Sequence, residues 1–224
     1  MIYDAEGIDD SIKNQAHWAE SNDTPTLTLF LENLENRSLR RVKQLGVTGV
    51  SMAGLDTGGL ETWTDQNLKR HIDRASAAGL ELRNVMFNPS SRVRFGEQGR
   101  DEDIEIINQA IRIAGRQGLP VMEYNFYAHR IVEGYRVVPG RGGSGLMEFN
   151  YQRVKDLPPL VGEEEHSLSD MWDNVTYFLK AVIPVAEEAN VRLALHPNDP
   201  PAPVSRGSGQ IMSTLEGWKK FTDI

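Results

Sequence analysis

The chain has 224 residues, of which 39% are hydrophobic and 25% charged, and its formal net charge is −8. This length fits one domain with a large core, and the negative charge argues against nucleic acid or an anionic membrane as the main partner. Without cysteine, the chain has neither a disulfide nor a thiolate zinc site. No apolar run reaches the roughly 18 residues of a membrane span, and the first residues lack a signal-peptide pattern. We therefore predict a cytoplasmic protein.

Residues 1–25 are polar and acidic with weak periodicity, so we expect an N-terminal extension there. From residue 26 onward, short apolar strands alternate with segments of helical spacing. The predicted strands are 26–31, 47–52, 80–87, 119–126 and 191–196. The predicted helices are 39–46, 64–79, 101–118, 169–190 and 213–224. Most of these helices end at a glycine or asparagine, which is typical of a helix that turns into a following strand.

Strands and helices that alternate in this way predict a parallel α/β fold. A doubly wound sheet is the competing arrangement, but no G-x-G-x-x-G pattern opens a helix after the first strand, so dinucleotide binding has no support. Polar residues at the strand tips favour a (β/α)₈ barrel, with about five βα units in a partial domain over residues 26–224. Eight strands close such a barrel, so we expect a truncated chain or a homo-oligomer that covers the open edge.

The most informative stretch is 193–201, where a predicted strand ends in His196 and a proline-rich turn follows with Asn198 and Asp199. Side chains alternate along a strand, so His196 shares a face with Ala194 and lies at the carboxyl end. That edge is where barrel enzymes place their active sites. A lone histidine there is more often a hydrogen-bonded structural residue than a metal ligand, so the residues alone leave both roles open.

The predicted strand 119–126 carries a second polar pair. Glu123 and Asn125 share one face, whereas the apolar residues, Tyr124 among them, share the other. The apolar face should pack under helices, which turns Glu123 and Asn125 toward the barrel axis. Two polar groups in that place are costly unless they are paired or solvated, so they indicate either a site or an internal hydrogen-bonded pair.

The segment 127–168, about 40 residues long, is unusual for a loop of a compact domain unless it is functional. It contains His129 and Arg136. One hypothesis is a lid that brings arginine to a substrate carboxylate, because the guanidinium fork matches two carboxylate oxygens. The other is a surface excursion or a subunit contact. Arg206 is a second candidate clamp or a solvated loop residue, and the tip at 88–92 is a weaker candidate.

The string His196-Pro197-Asn198-Asp199-Pro200-Pro201 resembles the HP(N/D)DPP signature of the mannonate dehydratase family, metal-dependent sugar-acid dehydratases with a xylose isomerase-like TIM barrel. Tyr124-Asn125-Phe126 is similar to a Tyr-Asn-Phe segment of the same family, and the resemblance covers the chain from about Leu39 onward. Glu123 and the segment after Phe126 depart from the family's pattern, which leaves the exact sugar acid open.

The resemblance implies a hydro-lyase that removes water from D-mannonate, or a related sugar acid, to give a 2-keto-3-deoxy sugar acid. It also implies a divalent metal, manganese first, with Fe²⁺, Co²⁺ or Mg²⁺ as alternatives, and His196 as one ligand. Asn198 and Asp199 match motif positions that either contact the substrate or support the residues that do, and both are predicted to be catalytic. Glu123 is added as a third candidate catalytic residue, either a metal ligand or a base. The candidate substrate-binding residues are Asn125, Tyr124, Arg206, Arg136 and His129.

Two alternatives stay open at this point. A sugar isomerase or epimerase on the same scaffold would also place His and Glu at strand tips around a metal, and the fold alone does not separate them. A catalytically incomplete fragment would bind metal weakly and show little turnover. In each enzymatic case the expected partner is a small molecule, and neither nucleic acid nor a membrane is expected.

Overall fold

The computed structural model of the protein describes residues 26–56, 58–129 and 132–224, so the expected N-terminal extension at 1–25 lies outside the described residues. Within them, a five-stranded parallel sheet has the order β1-β2-β3-β4-β7. Its strands are β1 Thr28–Leu31, β2 Gly49–Met52, β3 Glu81–Phe87, β4 Val121–Tyr124 and β7 Arg192–Leu195. The parallel α/β fold with five βα units is therefore confirmed, although each strand is shorter than its apolar run.

Helices connect the strands of this sheet. They are α1 Asn36–Gln44, α2 Asp65–Ala77, α3 Ser91–Phe95, α4 Arg100–Gln117, α5 Leu168–Glu188 and α6 Leu215–Thr222. The start of α5 is fixed by a capping box, in which Ser167 and Asp170 each bond the other's backbone N–H. No described helix combines the length and the apolar composition needed to cross a membrane.

The core lies between one face of the sheet and the helices. Val50, Val85 and Met122 are fully buried on that face. The ring of Tyr124 lies 5.4 Å from that of Phe178 on α5, which joins the sheet to the helix layer. Because side chains alternate along a strand, the neighbours of these residues point to the opposite face, and that face is polar at its carboxyl end.

The chain leaves α4 and α5 in the same way. Gly118 follows α4 with φ 73°, and Asn190 follows α5 with φ 55°. Glycine adopts this left-handed conformation without a Cβ clash, and asparagine tolerates it better than most residues. The helix ends predicted from these two residues are therefore confirmed, and each leads into a strand of the sheet.

The segment between β4 and α5 differs from the long loop that the sequence predicts. It contains an antiparallel hairpin of β5 Tyr135–Pro139 and β6 Gly145–Phe149. The ring of Tyr135 packs 5.0 Å from that of Phe149 at the base of the hairpin. Two further short strands, β8 Val204–Ser205 and β9 Ser208–Gly209, form a ribbon after β7. We refer to residues 127–166 as the excursion.

Candidate active site

Three adjacent strands bring Asn84, Glu123 and His196 together on the polar face of the sheet. The Nδ1 atom of His196 lies 2.6 Å from Oε1 of Glu123. Asn84, on β3, donates from Nδ2 to the other carboxylate oxygen of Glu123. The backbone N–H of His196 donates to the Tyr124 carbonyl at 2.6 Å, so the pairing of β4 and β7 continues one residue past the strand. The predicted orientation of Glu123 and His196 toward a common face is confirmed.

This arrangement indicates which ring nitrogen of His196 carries the hydrogen and which has the lone pair. A carboxylate can only accept a hydrogen bond, so Nδ1 of His196 carries the hydrogen that Glu123 receives. In the neutral ring, Nε2 then has the lone pair. The side chain of His196 is 37% exposed and that of Glu123 is 24% exposed. Glu123 therefore orients the imidazole, and Nε2 is the atom that can hold a proton or a metal ion.

The residues present do not fit a complete metal centre. Divalent manganese and its close relatives take several oxygen and nitrogen ligands at once. Over residues 26–56, 58–129 and 132–224, no three side chains of His, Cys, Asp or Glu lie close enough together to hold a metal ion. The pair of His196 and Glu123 supplies one well-oriented nitrogen, so a metal role for His196 stays a prediction.

Asn125 lies on the same face, directly after β4. It is 5% exposed, and its Nδ2 donates to Oδ1 of Asn88, which follows β3. Its own Oδ1 is buried without a hydrogen-bond partner, as is Oδ1 of Asn84. Buried polar atoms are nearly always satisfied, so each exception in a folded chain needs an explanation. Among the described residues, these two oxygens are acceptors that lack a donor.

The proline turn has a different role for each of its polar residues. Asp199 accepts a hydrogen bond from the hydroxyl of Tyr135, which joins the turn to the hairpin. Asn198 is 4% exposed and donates from Nδ2 to Oε1 of Gln210 at 2.8 Å. Gln210 in turn donates to the Ala202 carbonyl at 2.9 Å. The side chain of Asn198 is therefore buried in a network that braces the turn, which favours a supporting position over a substrate-contacting one, and a catalytic role for Asn198 stays a prediction.

Tyr124 also needs a correction. It is 1% exposed and lies on the helix-facing side of β4, where its ring is 5.7 Å from that of Phe87. Burial raises the pKa of its hydroxyl well above the ordinary value. The substrate-binding role predicted for Tyr124 is wrong, since the residue points away from Glu123 and belongs to the core.

The two candidate arginine clamps are already paired. Arg206, with φ 49°, contacts the carboxylate of Glu133 and donates to the Pro158 carbonyl at 3.0 Å. Arg136 pairs with Glu148 on the neighbouring strand of the hairpin. These contacts hold the pKa of both glutamates below the ordinary value. In this structure both arginines brace the excursion, which favours a structural role over that of a substrate clamp.

His129 is placed beside the sheet edge, at the start of the excursion. Its Nε2 contacts the carboxylate of Glu163, and its Nδ1 is buried without a partner. Substrate contact by His129 stays a prediction. Sequence reasoning missed Asn84, although it is a polar residue in the apolar run that forms β3. Asn88 belongs to the tip at 88–92, which the sequence indicates only as a weaker candidate clamp.

Comparison with known proteins relates this arrangement to one family. The family model of D-mannonate dehydratase (UxuA) matches residues 26–162 and 160–224. The mannonate dehydratase of Streptococcus equi subsp. zooepidemicus is 29% identical over 215 residues, covering 84% of this chain and 58% of that protein. That of Thermotoga maritima is 29% identical over 208 residues, covering 76% of this chain and 56% of that protein. The chain thus spans somewhat more than half the length of these relatives.

Solved structures agree with the sequence comparison. The mannonate dehydratase from Streptococcus suis serotype 2 superposes with a TM-score of 0.80 and 26% identity, covering 90% of this chain and 61% of that chain. A D-psicose 3-epimerase from Clostridium cellulolyticum H10 superposes with a TM-score of 0.54 and 13% identity, which shows the fold alone; it covers 88% of this chain and 58% of that chain. The fold is therefore part of a xylose isomerase-like TIM barrel, as expected. The chain belongs to the D-mannonate dehydratase family.

Proposed function

We propose that the protein carrying this chain is a hydro-lyase that removes water from D-mannonate or a closely related sugar acid. The observation that carries the proposal is the family match, which runs through β3, β4 and β7 and so includes the strands that position Asn84, Glu123 and His196. The expected product is the 2-keto-3-deoxy sugar acid.

The reaction has three chemical requirements. A base takes the proton from C2, an acid donates a proton to the hydroxyl that leaves C3 as water, and the resulting enol rearranges to the ketone. The negative charge that develops beside the carboxylate must also be stabilised. We propose Asp199 as a proton-transfer group, supported by the Tyr135 hydroxyl, which donates to its carboxylate and orients it.

In this proposal His196 faces the substrate through Nε2. A divalent metal, with manganese first and Fe²⁺, Co²⁺ or Mg²⁺ as alternatives, would supply a Lewis acid at this atom. Glu123 would then act as the carboxylate that orients a metal-binding histidine, a common second contact in metalloenzymes. Because the described residues supply one donor only, we assign no step to the metal, and its other ligands would lie outside the described residues.

The proposal is tested with the complete natural protein that contains these residues. It is incubated with D-mannonate and with other sugar acids, and the 2-keto acid product is followed by its absorbance after derivatisation. We expect product from D-mannonate, and at least a 100-fold loss of kcat/KM in His196→Ala. His166→Ala serves as a matched control, because His166 stacks on Phe95 at 4.1 Å and has no role in the proposed chemistry.

Two results would contradict the proposal. One is the absence of a 2-keto acid from every sugar acid together with interconversion of neutral ketoses, which would favour the epimerase alternative. The other is full dehydratase activity in His196→Ala. Likeness to epimerases in fold alone does not favour that alternative, so neutral sugars enter the experiment as a comparison.

A further inference from the structure

Arg94, on α3, differs from the other arginines at the carboxyl edge of the sheet. Its Nη1 donates to the Pro89 carbonyl at 3.2 Å, and its Nε is buried without an acceptor. Within the described ranges, no carboxylate oxygen lies within the 4.0 Å of an ion pair with its guanidinium. Arg94 is therefore a partly buried cation that lies over the Phe95 ring, 5.7 Å from its centroid, and that has no carboxylate partner among the described residues.

The neighbouring arginines are all committed to carboxylates. The pairs are Arg92 with Asp103, Arg136 and Arg153 with Glu148, and Arg206 with Glu133. Each of these arginines braces a turn or the excursion. Among the arginines beside the described strand ends, Arg94 is the one with charge left to offer an anion.

Burial without a partner is unfavourable for a guanidinium. Desolvation lowers the pKa of Arg94, and the more distant charges of Glu163, Tyr127 and Glu97 offset this only in part. Glu163 is itself in contact with His129. A chain that keeps a cation in this environment gains stability when an anion binds beside it, because the anion replaces the missing partner.

Two of the other unsatisfied polar atoms, those of Asn84 and Asn125, lie on the face of the sheet that carries Glu123. In the part of the chain that the structure describes, the buried side-chain atoms without partners belong to Asn84, Arg94, Asn108, Asn125 and His129. Asn84 lies on β3 and Asn125 directly follows β4, whereas Arg94 lies on α3, His129 in the excursion and Asn108 on α4. Contacts link Asn125 to Arg94, since Asn125 bonds Asn88 and Arg94 bonds the adjacent Pro89. Asn84 bonds Glu123, which lies two residues before Asn125 on the same face.

We infer that Arg94 binds the carboxylate of an anionic, polyhydroxylated ligand whose hydroxyl groups donate to Asn84 and Asn125. This inference rests on the proposed function, because a sugar acid is the class of ligand that the function requires. Nη1 is used by the Pro89 carbonyl, so the edge formed by Nε and Nη2 is the fork that matches two carboxylate oxygens. Arg94 thereby selects acids over neutral sugars of the same stereochemistry.

The inference is tested by binding in the complete natural protein. Arg94→Met removes the charge at similar volume, and Arg94→Lys keeps the charge without the fork. Arg136→Met is the matched control, because that arginine lies near the same edge but is paired with Glu148. Affinities for D-mannonate and for mannitol, which has no carboxylate, are measured by calorimetry and ligand-observed NMR.

We expect D-mannonate to bind about 10- to 100-fold more weakly to Arg94→Met, with a smaller loss in Arg94→Lys and none in Arg136→Met. Mannitol should bind the wild type and all three variants equally weakly. A readout that needs no variant is the ¹⁵Nε–H resonance of Arg94 in the wild type, which should shift with D-mannonate and not with mannitol.

The inference fails if Arg94→Met binds D-mannonate as tightly as the wild type does, or if the Arg94 resonance is unmoved by every sugar acid. It stands without the proposed function if sugar acids bind through Arg94 and none is dehydrated. Conversely, if Arg94→Met dehydrates D-mannonate with an unchanged KM, the proposed function stands and Arg94 does not bind the substrate.

Discussion

Replacing Asn198 with aspartate tests the hydrogen-bond network under the proline turn. The Ala202 carbonyl can only accept, so Gln210 must point Nε2 at it, and this leaves Oε1 of Gln210 facing residue 198. Asn198 supplies the matching N–H. An ionised aspartate would instead place oxygen against oxygen, and rotating the Gln210 amide would only move the same conflict to Ala202.

The size of the effect follows from burial. Asn198 is 4% exposed and Gln210 is 2% exposed, so water does not replace the lost partner. An unsatisfied buried acceptor costs about 1–3 kcal/mol, and more when one group is charged, so we expect the free energy of unfolding to fall by about 3 kcal/mol at pH 7. A protonated acid can donate to Gln210, which raises the pKa of the new carboxyl group in the folded state above its ordinary value of about 3.9.

The sign of the pH dependence follows from this raised pKa. The folded state holds the proton more tightly than the unfolded state, so the deficit of the variant is smallest below about pH 4 and grows as the pH rises through the folded-state pKa. Urea unfolding of the wild type, Asn198→Asp and Asn198→Ala between pH 4 and pH 8 measures it. Asn198→Ala should show a deficit that does not depend on pH. Equal stability of Asn198→Asp and the wild type at pH 7, or a deficit unchanged with pH, would refute the network.

Three further predictions concern single residues. Glu123→Leu should weaken binding of Mn²⁺ about 10-fold or more, because Nδ1 of His196 loses its acceptor. Paramagnetic relaxation of water protons measures the Mn²⁺ affinity, and an unchanged affinity would contradict the role of Glu123. Tyr124→Phe should leave kcat/KM for D-mannonate within about twofold and change the free energy of unfolding by less than about 1 kcal/mol, since the ring stays packed in the core and the hydroxyl points away from the site. A large loss of activity with intact stability would return Tyr124 to the site. Gly118→Ala should lower the free energy of unfolding by about 1 kcal/mol, because alanine is strained at φ 73°. The strain comes from the backbone alone, since an added Cβ meets no atom within 4 Å. Urea unfolding measures the loss of stability, and an unchanged midpoint would contradict the prediction.

The face of the sheet that carries the site could be predicted where strands keep a strict alternation. On β4 and β7 the period of two places Glu123, Asn125 and His196 on one side, and the structure agrees. On β3 the period breaks, because the pairing with β2 shifts register between Val50 and Ser51. Counting from the start of that strand therefore does not reveal which way Asn84 points.

The contacts that sequence reasoning did not predict share a different cause. A motif shows where a residue lies along the backbone, but not which distant side chain it meets. Tyr135 and Asp199 are 64 residues apart, and Arg206 and Glu133 are 73 residues apart, so neither contact is visible in local spacing. The excursion was mistaken for a loop because its hairpin alternates weakly and carries a Gly-rich turn, which is more typical of irregular structure.

The hydrogen bond between Tyr135 and Asp199 connects the excursion to the carboxyl edge of the sheet. Tyr135 is the first residue of the hairpin and Asp199 lies in the proline turn that follows β7, so this hydrogen bond joins the two segments. Displacing the hairpin breaks this bond, and drawing the carboxylate away from Tyr135 removes one of the contacts that hold the hairpin. A substitution on β5 or β6 can therefore shift Asp199 at the carboxyl edge of the sheet without contacting a ligand.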